Sequence, residues 1–249
     1  MINNNVLDMI GNTPMIKLNN IGNSNIYVKL EKYNPAGSIK DRAVYYMVEN
    51  LEKNGILKKG DVLVEATSGN TGIALSMIGS LKGYKVIIVM PETMSVERRT
   101  LMKAYGAKLI LTDGSLGMKG SIEMMNKLLS ENTNYISLKQ FENEYNTLAH
   151  YETTGVEIYN QVKDIDIFVC GVGTGGTISG VGKYLKEQNP NIKVVAVEPE
   201  GSPVISKNKK GSHKIQGIGA GFIPKNYNEN VVDEVMTITD EESYEGVRI

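Results

Sequence analysis

Apolar strands alternate with amphipathic helices from residue 61 onward, and this alternation restricts the fold more than any other feature of the sequence. The apolar runs DVLVEAT, KVIIVM and KLILT are each followed by turn residues and by a segment with helical periodicity. Strands that alternate with helices over short connections form a parallel sheet with helices on both faces. The sequence therefore predicts an α/β fold.

The alternation forms two series. The first has helices at residues 71–81, 95–105 and 118–132, and it ends with the strand NYISL. The second consists of the helix HYETTGVEIYNQV, the strand IDIFVC, a glycine-rich loop, a helix ending at Lys186 and the strand KVVAVE. We therefore predict two wound three-layer α/β/α domains with mostly parallel sheets that meet in a cleft. Ligands of such sheets bind beyond the carboxyl ends of the strands.

Composition argues against several classes of function. The 249 residues carry 27 basic and 28 acidic side chains, so no nucleic-acid partner is expected. Apolar runs are far shorter than the roughly 18 residues of a spanning helix, and the start does not resemble a secretory leader, which predicts a cytoplasmic protein without membrane association. One cysteine, Cys170, and two histidines cannot supply the usual zinc ligands, so no metal is expected. Cys170 ends an apolar run and is predicted to be an inert core thiol.

The segment NPAGSIKDR places Lys40 in the first turn of a predicted helix. Pro35 and Gly37 favour a turn, and Ser38 followed by Asp41 is typical of a helix N-cap with an acidic partner. A cation at this end of a helix costs about 0.3 to 1 kcal/mol, which slightly favours the neutral amine. A neutral amine condenses with aldehydes. The alternative is an ordinary solvated lysine.

The segment GVGTGGTISG, which begins at Gly171, lies between a strand and a helix. Glycines let several backbone N–H groups approach one anion, and the helix N-terminus adds positive potential, so we predict a phosphate-binding loop. It is not a P-loop, because Thr177 stands where that motif requires lysine. Gly171, Gly173 and Gly176 also fit G-x-G-x-x-G, with Glu198 ending the next strand, so a dinucleotide dehydrogenase is one alternative. Tight loop packing is another.

A second loop, TSGNTG, also follows a strand and precedes a helix. Thr67, Ser68, Asn70 and Thr71 offer polar side chains, and Gly69 leaves the backbone N–H groups uncovered for a carboxylate. The alternative is a polar turn that caps its helix. A dehydrogenase has no evident use for this loop.

Together, the segments NPAGSIKDR, EATSGNTG and GVGTGGT resemble those of the cysteine synthases, also called O-acetylserine sulfhydrylases. The resemblance covers the whole chain and includes IGNTP, MPETMSVERR, AHYETTG and HKIQGIGAGFIP. It implies the tryptophan synthase β-like fold of the fold-type II pyridoxal-phosphate enzymes. It also implies that the glycine loop holds one phosphate monoester, which argues against the dehydrogenase.

The resemblance assigns roles by position. Lys40 would be the catalytic residue and would form a Schiff base with pyridoxal 5′-phosphate, and Asn70 would bind the cofactor's phenolic oxygen. The phosphate would lie among Gly173, Thr174, Gly175, Gly176 and Thr177. The residues that would bind the substrate are Thr67, Ser68, Gly69, Thr71 and Gln140 at its carboxylate and Gly217, Gly219 and Ala220 at its side-chain end.

The implied reaction forms L-cysteine from O-acetyl-L-serine and sulfide by β-replacement, through an aminoacrylate intermediate. One alternative is a related β-replacement that consumes cysteine, releases hydrogen sulfide and yields lanthionine, cystathionine or serine. Another is a non-catalytic scaffold for serine acetyltransferase, although a scaffold would not need Lys40 or Asn70. The resemblance also implies a homodimer that binds a small amino acid and sulfide, with serine acetyltransferase as a further partner.

The resemblance further implies a large cofactor-binding domain formed by residues 1–36 and 147–249, and a small mobile substrate-binding domain formed by residues 37–146. The sequence departs from the family at FENEYNT and at Val156, where we expect no chemistry and only an adjusted loop beside the substrate. Family chains also continue to a Ser-Ser-Gly segment whose serine contacts the pyridine nitrogen. No such segment follows Thr237, so either the sequence is truncated or this contact is missing. We expect a chain ending at residue 249 to be unstable or to bind the cofactor weakly.

Overall fold

The structure, a computed structural model, describes residues 3–19, 21 and 24–247. It divides into two compact units, each with its own parallel sheet. Unit 1 comprises Met1–Gly11 and Glu31–Lys139, and unit 2 comprises Asn12–Leu30 and Gln140–Ile249. The roles assigned above to a large cofactor-binding domain and a small mobile domain, and their boundaries, stay predictions.

The elements follow the predicted alternation. The strands are β1 (Met15–Leu18), β2 (Ile26–Lys29), β3 (Val62–Ala66), β4 (Lys85–Pro91), β5 (Lys108–Thr112), β6 (Tyr135–Ile136), β7 (Ile167–Gly171), β8 (Lys193–Pro199) and β9 (Glu234–Ile238). The α-helices are α1 (Lys40–Lys53), α2 (Asn70–Leu81), α3 (Val96–Ala104), α4 (Gly117–Glu131), α5 (Glu144–Ala149), α6 (Gly155–Gln161), α7 (Gly176–Gln188), α8 (Val204–Lys207) and α9 (Asp240–Gly246).

Unit 1 is built on a parallel sheet with the strand order β5-β4-β3-β6. Every residue of β3 is buried, so both faces of the sheet need a cover. Val62 and Val64 pack on one face with Leu128 of α4. On the other face, α2 approaches so closely that a Cβ added at Gly79 would lie 3.5 Å from Leu63. Unit 1 is therefore a three-layer α/β/α arrangement, as predicted.

The strand predicted at NYISL is shorter than expected, since only Tyr135–Ile136 pairs with β3. The next two residues, Ser137 and Leu138, instead form hydrogen bonds with the side chain of Glu65 in β3. Ser137 Oγ donates to Glu65 Oε2 at 3.0 Å, and the Leu138 backbone N–H donates to the same oxygen at 3.1 Å. This buried carboxyl group therefore ends the pairing of the last strand.

Helix α1 begins later than predicted, because Ile39 rather than Ser38 is its N-cap residue. Ser38 Oγ still accepts a hydrogen bond from the Lys40 backbone N–H at 3.2 Å. The Asp41 carboxylate accepts from the Ala36 N–H at 2.6 Å. The two polar side chains therefore tie the preceding turn to the first helical turn, and Lys40 is the first residue of the helix.

Unit 2 contains a parallel sheet with the order β7-β8-β9. Ile178 of α7 packs with Val194 and Ala196 of β8, so this helix covers one face of the sheet. On β7, the side chains of Ile167 and Val169 are more than half exposed. The carboxyl end of β7 leads directly into the glycine loop and α7.

An antiparallel pair of strands, β1 and β2, also belongs to unit 2. Lys29 at the end of β2 joins this pair to α6. Its Nζ donates to the Thr13 carbonyl at 2.6 Å, to Glu157 Oε2 at 2.7 Å and to Gln161 Oε1 at 2.9 Å. A half-buried lysine with three acceptors thus connects the N-terminal strands to the rest of the unit.

The helix predicted at HYETTGVEIYNQV consists of two parts, a π-helical turn at His150–Thr154 followed by α6. Helix α7 packs tightly against this turn, since a Cβ added at Gly180 would lie 2.9 Å from His150 Cβ. Apolar periodicity does not distinguish a π-helical turn from an α-helix. Cys170, predicted as a core thiol, is half-buried. In the part of the chain that the structure describes, no helix has the length and apolar character needed to cross a membrane.

Candidate active site

Buried polar contacts fix the main chain around Lys40. Arg42, which is 1% exposed, donates from Nε and Nη2 to the Glu31 carboxylate at 2.7 and 2.9 Å. Asn34 Nδ2 also donates to this carboxylate at 2.8 Å, and Asn34 Oδ1 accepts from the Gly11 N–H at 2.8 Å. A two-point arginine–carboxylate pair has a well-defined geometry. The half-buried Lys40 therefore starts from a rigidly held helix end.

Asp41, the residue after Lys40, is fully buried. Burial raises the pKa of its carboxyl group to about 6, although the hydrogen bond from Ala36 opposes the shift. Within the described residues, Asp41 Oδ1 has no hydrogen-bond partner. The first turn of α1 therefore holds a buried carboxyl group that titrates near neutral pH.

The TSGNTG loop follows β3 and opens α2. Gly69 is the N-cap of α2, and among the described residues no side chain caps this helix end. A Cβ added at Gly69 would meet no atom of residues 3–19, 21 and 24–247 within 4 Å, so this part of the structure leaves the loop open here. Arg98 Nη1 donates to the Ser68 carbonyl at 3.3 Å, and the Gly69 N–H donates to Thr67 Oγ1 at 3.4 Å. An open, uncapped helix N-terminus is suited to a carboxylate.

The remaining two predicted residues of this loop differ in exposure. Asn70 is exposed at the first position of α2, and the next residue, Thr71, is buried. Helix α1, which begins with Lys40, packs against α2. Unit 1 therefore contains the predicted lysine and the complete predicted carboxylate loop.

Glu65 lies two residues before Thr67 and is completely buried. Burial raises the pKa of its carboxyl group from 4.5 to about 7, although hydrogen bonds from Ser137, Leu138 and Lys139 oppose the shift. The folded chain keeps this proton up to about pH 7, whereas the unfolded chain loses it near pH 4.5. Stability from this group is therefore full below pH 4.5, and it falls as the pH rises through 7.

We expect the substitution Glu65→Gln to remove this pH dependence, because glutamine does not ionise. The rise in the pKa of Glu65 corresponds to a loss of unfolding free energy on the order of 3 kcal/mol between a pH below 4.5 and a pH above 7. Urea unfolding of both proteins, followed by far-UV circular dichroism, measures the effect. The unfolding midpoint of the variant should rise relative to the unsubstituted protein as the pH increases from about 5 to about 8. A difference in midpoint that does not change with pH would contradict the assigned titration.

In the glycine loop of unit 2, neighbouring backbone atoms leave no room for a side chain at two positions. Gly175, the N-cap residue of α7, has φ +83°, and none of the side chains that the structure describes caps this helix. A Cβ at this position would lie 2.7 Å from the Tyr227 backbone nitrogen. A Cβ at Gly173 would collide with the Gly217 carbonyl oxygen. The loop is therefore held between β7 and a second loop, with the N-terminus of α7 behind it.

The second loop, residues 213–222, contains Gly217, Gly219 and Ala220, which are predicted to line the side-chain end of the substrate pocket. The Gly219 N–H donates to the Val172 carbonyl at 2.9 Å, so this loop is hydrogen-bonded to the glycine loop. His213 Nε2 lies 3.0 Å from the Gly219 carbonyl oxygen. Because that oxygen can only accept, Nε2 carries the proton. Gly217, Gly219 and the half-buried Ala220 therefore lie on a loop that is attached to the glycine loop.

Gln140 also belongs to this group of residues. The backbone carbonyl oxygen of Gln140 accepts hydrogen bonds from Asn146 Nδ2 at 2.7 Å and from Asn226 Nδ2 at 2.8 Å. Asn146 Nδ2 also donates to Thr174 Oγ1 at 2.9 Å. Unit 2 therefore brings Gln140 close to the glycine loop through a buried amide that the motif analysis did not select.

His150 makes a second contact to the glycine loop that the sequence did not reveal. Its Nε2 lies 3.2 Å from Thr177 Oγ1, and its Nδ1 lies 3.0 Å from Thr154 Oγ1. The histidine is 1% exposed. Its position in the π-helical turn places its ring between two threonine hydroxyls, one of them in the predicted phosphate loop.

Comparison with known proteins identifies the family. The family described as "Pyridoxal-phosphate dependent enzyme" matches residues 6–249. The chain belongs to this family. The chain is 51% identical to a cysteine synthase of Staphylococcus aureus (strain N315) over 249 residues, which cover 98% of this chain and 80% of that protein. Members of the pyridoxal-phosphate family depend on this cofactor, which confirms the predicted enzyme class and cofactor.

Solved structures confirm the predicted fold class. The cysteine synthase of Entamoeba histolytica has a TM-score of 0.97 with 46% identity, covering 100% of this chain and 76% of that one. A hydrogen sulfide-producing enzyme of Fusobacterium nucleatum has a TM-score of 0.94 with 50% identity, covering 99% of this chain and 84% of that one. The family resemblance stated from the motifs is therefore confirmed.

The residues in unit 2 fit the phosphate of pyridoxal phosphate. The glycine loop lies at the uncapped N-terminus of the 13-residue helix α7, where backbone N–H groups and positive potential suit an anion. Thr174 and Thr177 add hydroxyl groups that can donate to phosphate oxygens. Residues 171–177 include no acidic side chain, so the loop itself carries no negative charge that would repel a phosphate. Lys40 of unit 1, considered by itself, carries an amine, the group that condenses with aldehydes.

Proposed function

We propose that this chain forms L-cysteine from O-acetyl-L-serine and sulfide in a pyridoxal-phosphate-dependent β-replacement. The observation that supports this most strongly is the match of nearly the whole chain to cysteine synthases, by sequence to that of Staphylococcus aureus and by structure to that of Entamoeba histolytica. The presence of Lys40, both polar loops and Gln140 is consistent with this activity.

The cofactor would be held at two places. Lys40 Nζ would attach its aldehyde, and Asn70 would bind its phenolic oxygen. The phosphate would be held by backbone N–H groups and hydroxyls of the residues Gly173, Thr174, Gly175, Gly176 and Thr177. When bound, pyridoxal phosphate supplies a ring that withdraws the negative charge developing at the substrate Cα.

The protein's own groups would perform the proton transfers and the positioning. Lys40 Nζ would remove the proton from the substrate Cα and return it there at the end of the reaction. The N-terminus of α2 would orient the substrate carboxylate through the residues Thr67, Ser68, Gly69 and Thr71, assisted by Gln140. The residues Gly217, Gly219 and Ala220 would border the leaving acetate and the incoming sulfide. Exclusion of water by these loops would protect the reacting Cβ from hydrolysis.

A second candidate function is the consumption of cysteine with release of hydrogen sulfide. It is favoured by the 50% identity and the TM-score of 0.94 to the hydrogen sulfide-producing enzyme of Fusobacterium nucleatum. Both reactions are β-replacements at a three-carbon amino acid and need the same groups. They differ in the group that leaves Cβ and in the group that enters.

Steady-state kinetics with matched substrates distinguishes these two functions. The protein is loaded with pyridoxal phosphate and given either O-acetylserine with sulfide or cysteine with a second thiol or water. We expect kcat/KM for O-acetylserine to exceed that for cysteine by at least about tenfold, which corresponds to about 1.4 kcal/mol of transition-state binding. A higher kcat/KM for cysteine would favour sulfide release, and no turnover with either donor would contradict both proposals.

The proposed assembly and location follow the family resemblance. We propose a cytoplasmic homodimer that binds serine acetyltransferase as a partner, and a small substrate-binding domain that closes over the amino acid. Light scattering of the purified protein tests the dimer. Monomeric protein at micromolar concentration would contradict it.

A further inference from the structure

Asn146 is a buried residue that forms a hydrogen bond with the glycine loop. It lies in α5, and 1% of it is exposed. Its Nδ2 donates to the backbone carbonyl oxygen of Gln140 at 2.7 Å and to Thr174 Oγ1 at 2.9 Å. The carbonyl oxygen can only accept, so the atom of the amide that faces it must be the nitrogen. The orientation of the Asn146 side chain is therefore determined.

This contact determines the role of the Thr174 hydroxyl. A threonine hydroxyl has one proton and accepts through its oxygen lone pairs. Because Oγ1 already accepts from Asn146, the orientation that makes this bond leaves the proton of Thr174 to be donated elsewhere. Thr174 is 6% exposed and lies two residues before the first residue of α7. Its proton is thus available next to the N-terminus of α7.

We infer that Asn146 is a positioning residue that directs the Thr174 hydroxyl as a donor to the cofactor phosphate. The inference rests on the proposed function, since it assigns the phosphate to this loop. A buried donor directed at an anion is worth more than one exposed to water, because hydrogen bonds to charged groups contribute more to binding than neutral ones. Without Asn146, the hydroxyl is free to rotate and its proton is no longer committed to the phosphate.

Asn226 provides a matched control from the same network. Its Nδ2 donates to the Gln140 carbonyl at 2.8 Å, and it is 8% exposed. Among the hydrogen bonds of the described residues, the amide contact to Thr174 comes from Asn146 and not from Asn226. Both amides therefore hold Gln140, but Asn146 alone of the two reaches the threonine of the phosphate loop.

The test compares binding of two aldehydes that differ only in the phosphate. The dissociation constants of pyridoxal phosphate and of pyridoxal are measured by absorbance titration of the cofactor-free protein. We expect Asn146→Ala to weaken pyridoxal phosphate binding about tenfold while pyridoxal binding changes less than twofold. Asn226→Ala should leave the ratio of the two dissociation constants unchanged. An equal loss for both ligands in Asn146→Ala would overturn the inference.

A second variant keeps the test independent of any packing defect at Asn146. Thr174→Val removes the hydroxyl but keeps the shape of the side chain, and it should raise the dissociation constant of pyridoxal phosphate relative to that of pyridoxal by a similar factor. In the double variant Asn146→Ala/Thr174→Val, the loss should not exceed that of Thr174→Val alone, because both changes remove one interaction. A Thr174→Val protein with an unchanged ratio, or additive losses in the double variant, would overturn the inference.

The outcome also separates this inference from the proposed function. If the unsubstituted protein binds pyridoxal phosphate and the ratio is unchanged in both single variants, the positioning role fails while the proposed function stands. If the unsubstituted protein binds both aldehydes equally, the phosphate assignment itself fails. Circular dichroism of each variant confirms that the comparison is made between folded proteins.

Discussion

Replacement of Lys40 by alanine is expected to abolish covalent attachment of pyridoxal phosphate and to lower kcat/KM by at least about 10³-fold. The substitution removes both the amine that binds the aldehyde and the base that acts at the substrate Cα, and a positioned acid or base alone contributes roughly 10² to 10⁴ in rate. The fold should persist, because Arg42, Glu31 and Asn34 hold the start of α1 through buried hydrogen bonds. Absorbance of the bound cofactor and steady-state turnover measure the two losses.

Lys53 provides the control for this substitution. It is the last residue of the same helix and is exposed. Lys53→Ala removes the same side-chain type from α1 and should leave the cofactor absorbance and kcat/KM within about twofold of the unsubstituted protein. A Lys40→Ala protein that keeps its cofactor absorbance and normal turnover would exclude Lys40 from the proposed role.

The second large effect is expected from Gly175→Ala in the phosphate loop. An alanine at φ +83° costs about 1 to 2 kcal/mol of backbone strain. Its Cβ would also lie 2.7 Å and 2.9 Å from the Tyr227 backbone nitrogen and Cα, so the loop must move. Such overpacking typically costs a further 1 to 3 kcal/mol. We expect the free energy of unfolding to fall by about 2 to 5 kcal/mol and pyridoxal phosphate binding to weaken at least about 100-fold.

The substitution Gly83→Ala is a control that measures the cost of backbone strain without a steric clash. Gly83 has φ +80°, nearly the same value as Gly175, but a Cβ there would meet no atom of the described part of the chain within 4 Å. Gly83→Ala should therefore cost only the backbone strain of about 1 to 2 kcal/mol and leave cofactor affinity unchanged. Urea unfolding and absorbance titration of both variants test the comparison. Equal cofactor affinities for Gly175→Ala and Gly83→Ala would contradict the assigned role of the loop.

The sequence predicted those parts of the fold whose signal is local. The strand KLILT has the predicted bounds, Lys108–Thr112, because an apolar run between two turns contains its own boundaries. The helix that precedes this strand was predicted to begin at Ser95, and Ser95 is its N-cap residue, whose side chain accepts from the Arg98 N–H. The two loops after β3 and β7 were likewise predicted, since their glycines stand between a strand and a helix.

The parts that the sequence did not reveal depend on distant residues. Asn146 lies in EYNTLA, which is typical of a short capped helix, and its bond to Thr174 spans 28 residues of the chain. We expected the stretch FENEYNT only to adjust a loop beside the substrate, whereas its last asparagine binds two residues of the predicted site. Glu65 lies in an apolar strand, and its contact to Ser137 spans 72 residues. No local pattern identifies such pairs, because their partners are set by tertiary packing.

Borohydride reduction followed by peptide mapping tests the central claim most directly. The protein is saturated with pyridoxal phosphate, reduced, digested and analysed by mass spectrometry. We predict a stable phosphopyridoxyl group on the peptide that contains Lys40 and on no other lysine at comparable yield. A protein that takes up no label, or that carries it mainly on another lysine, would contradict the claim that Lys40 holds the cofactor of this enzyme.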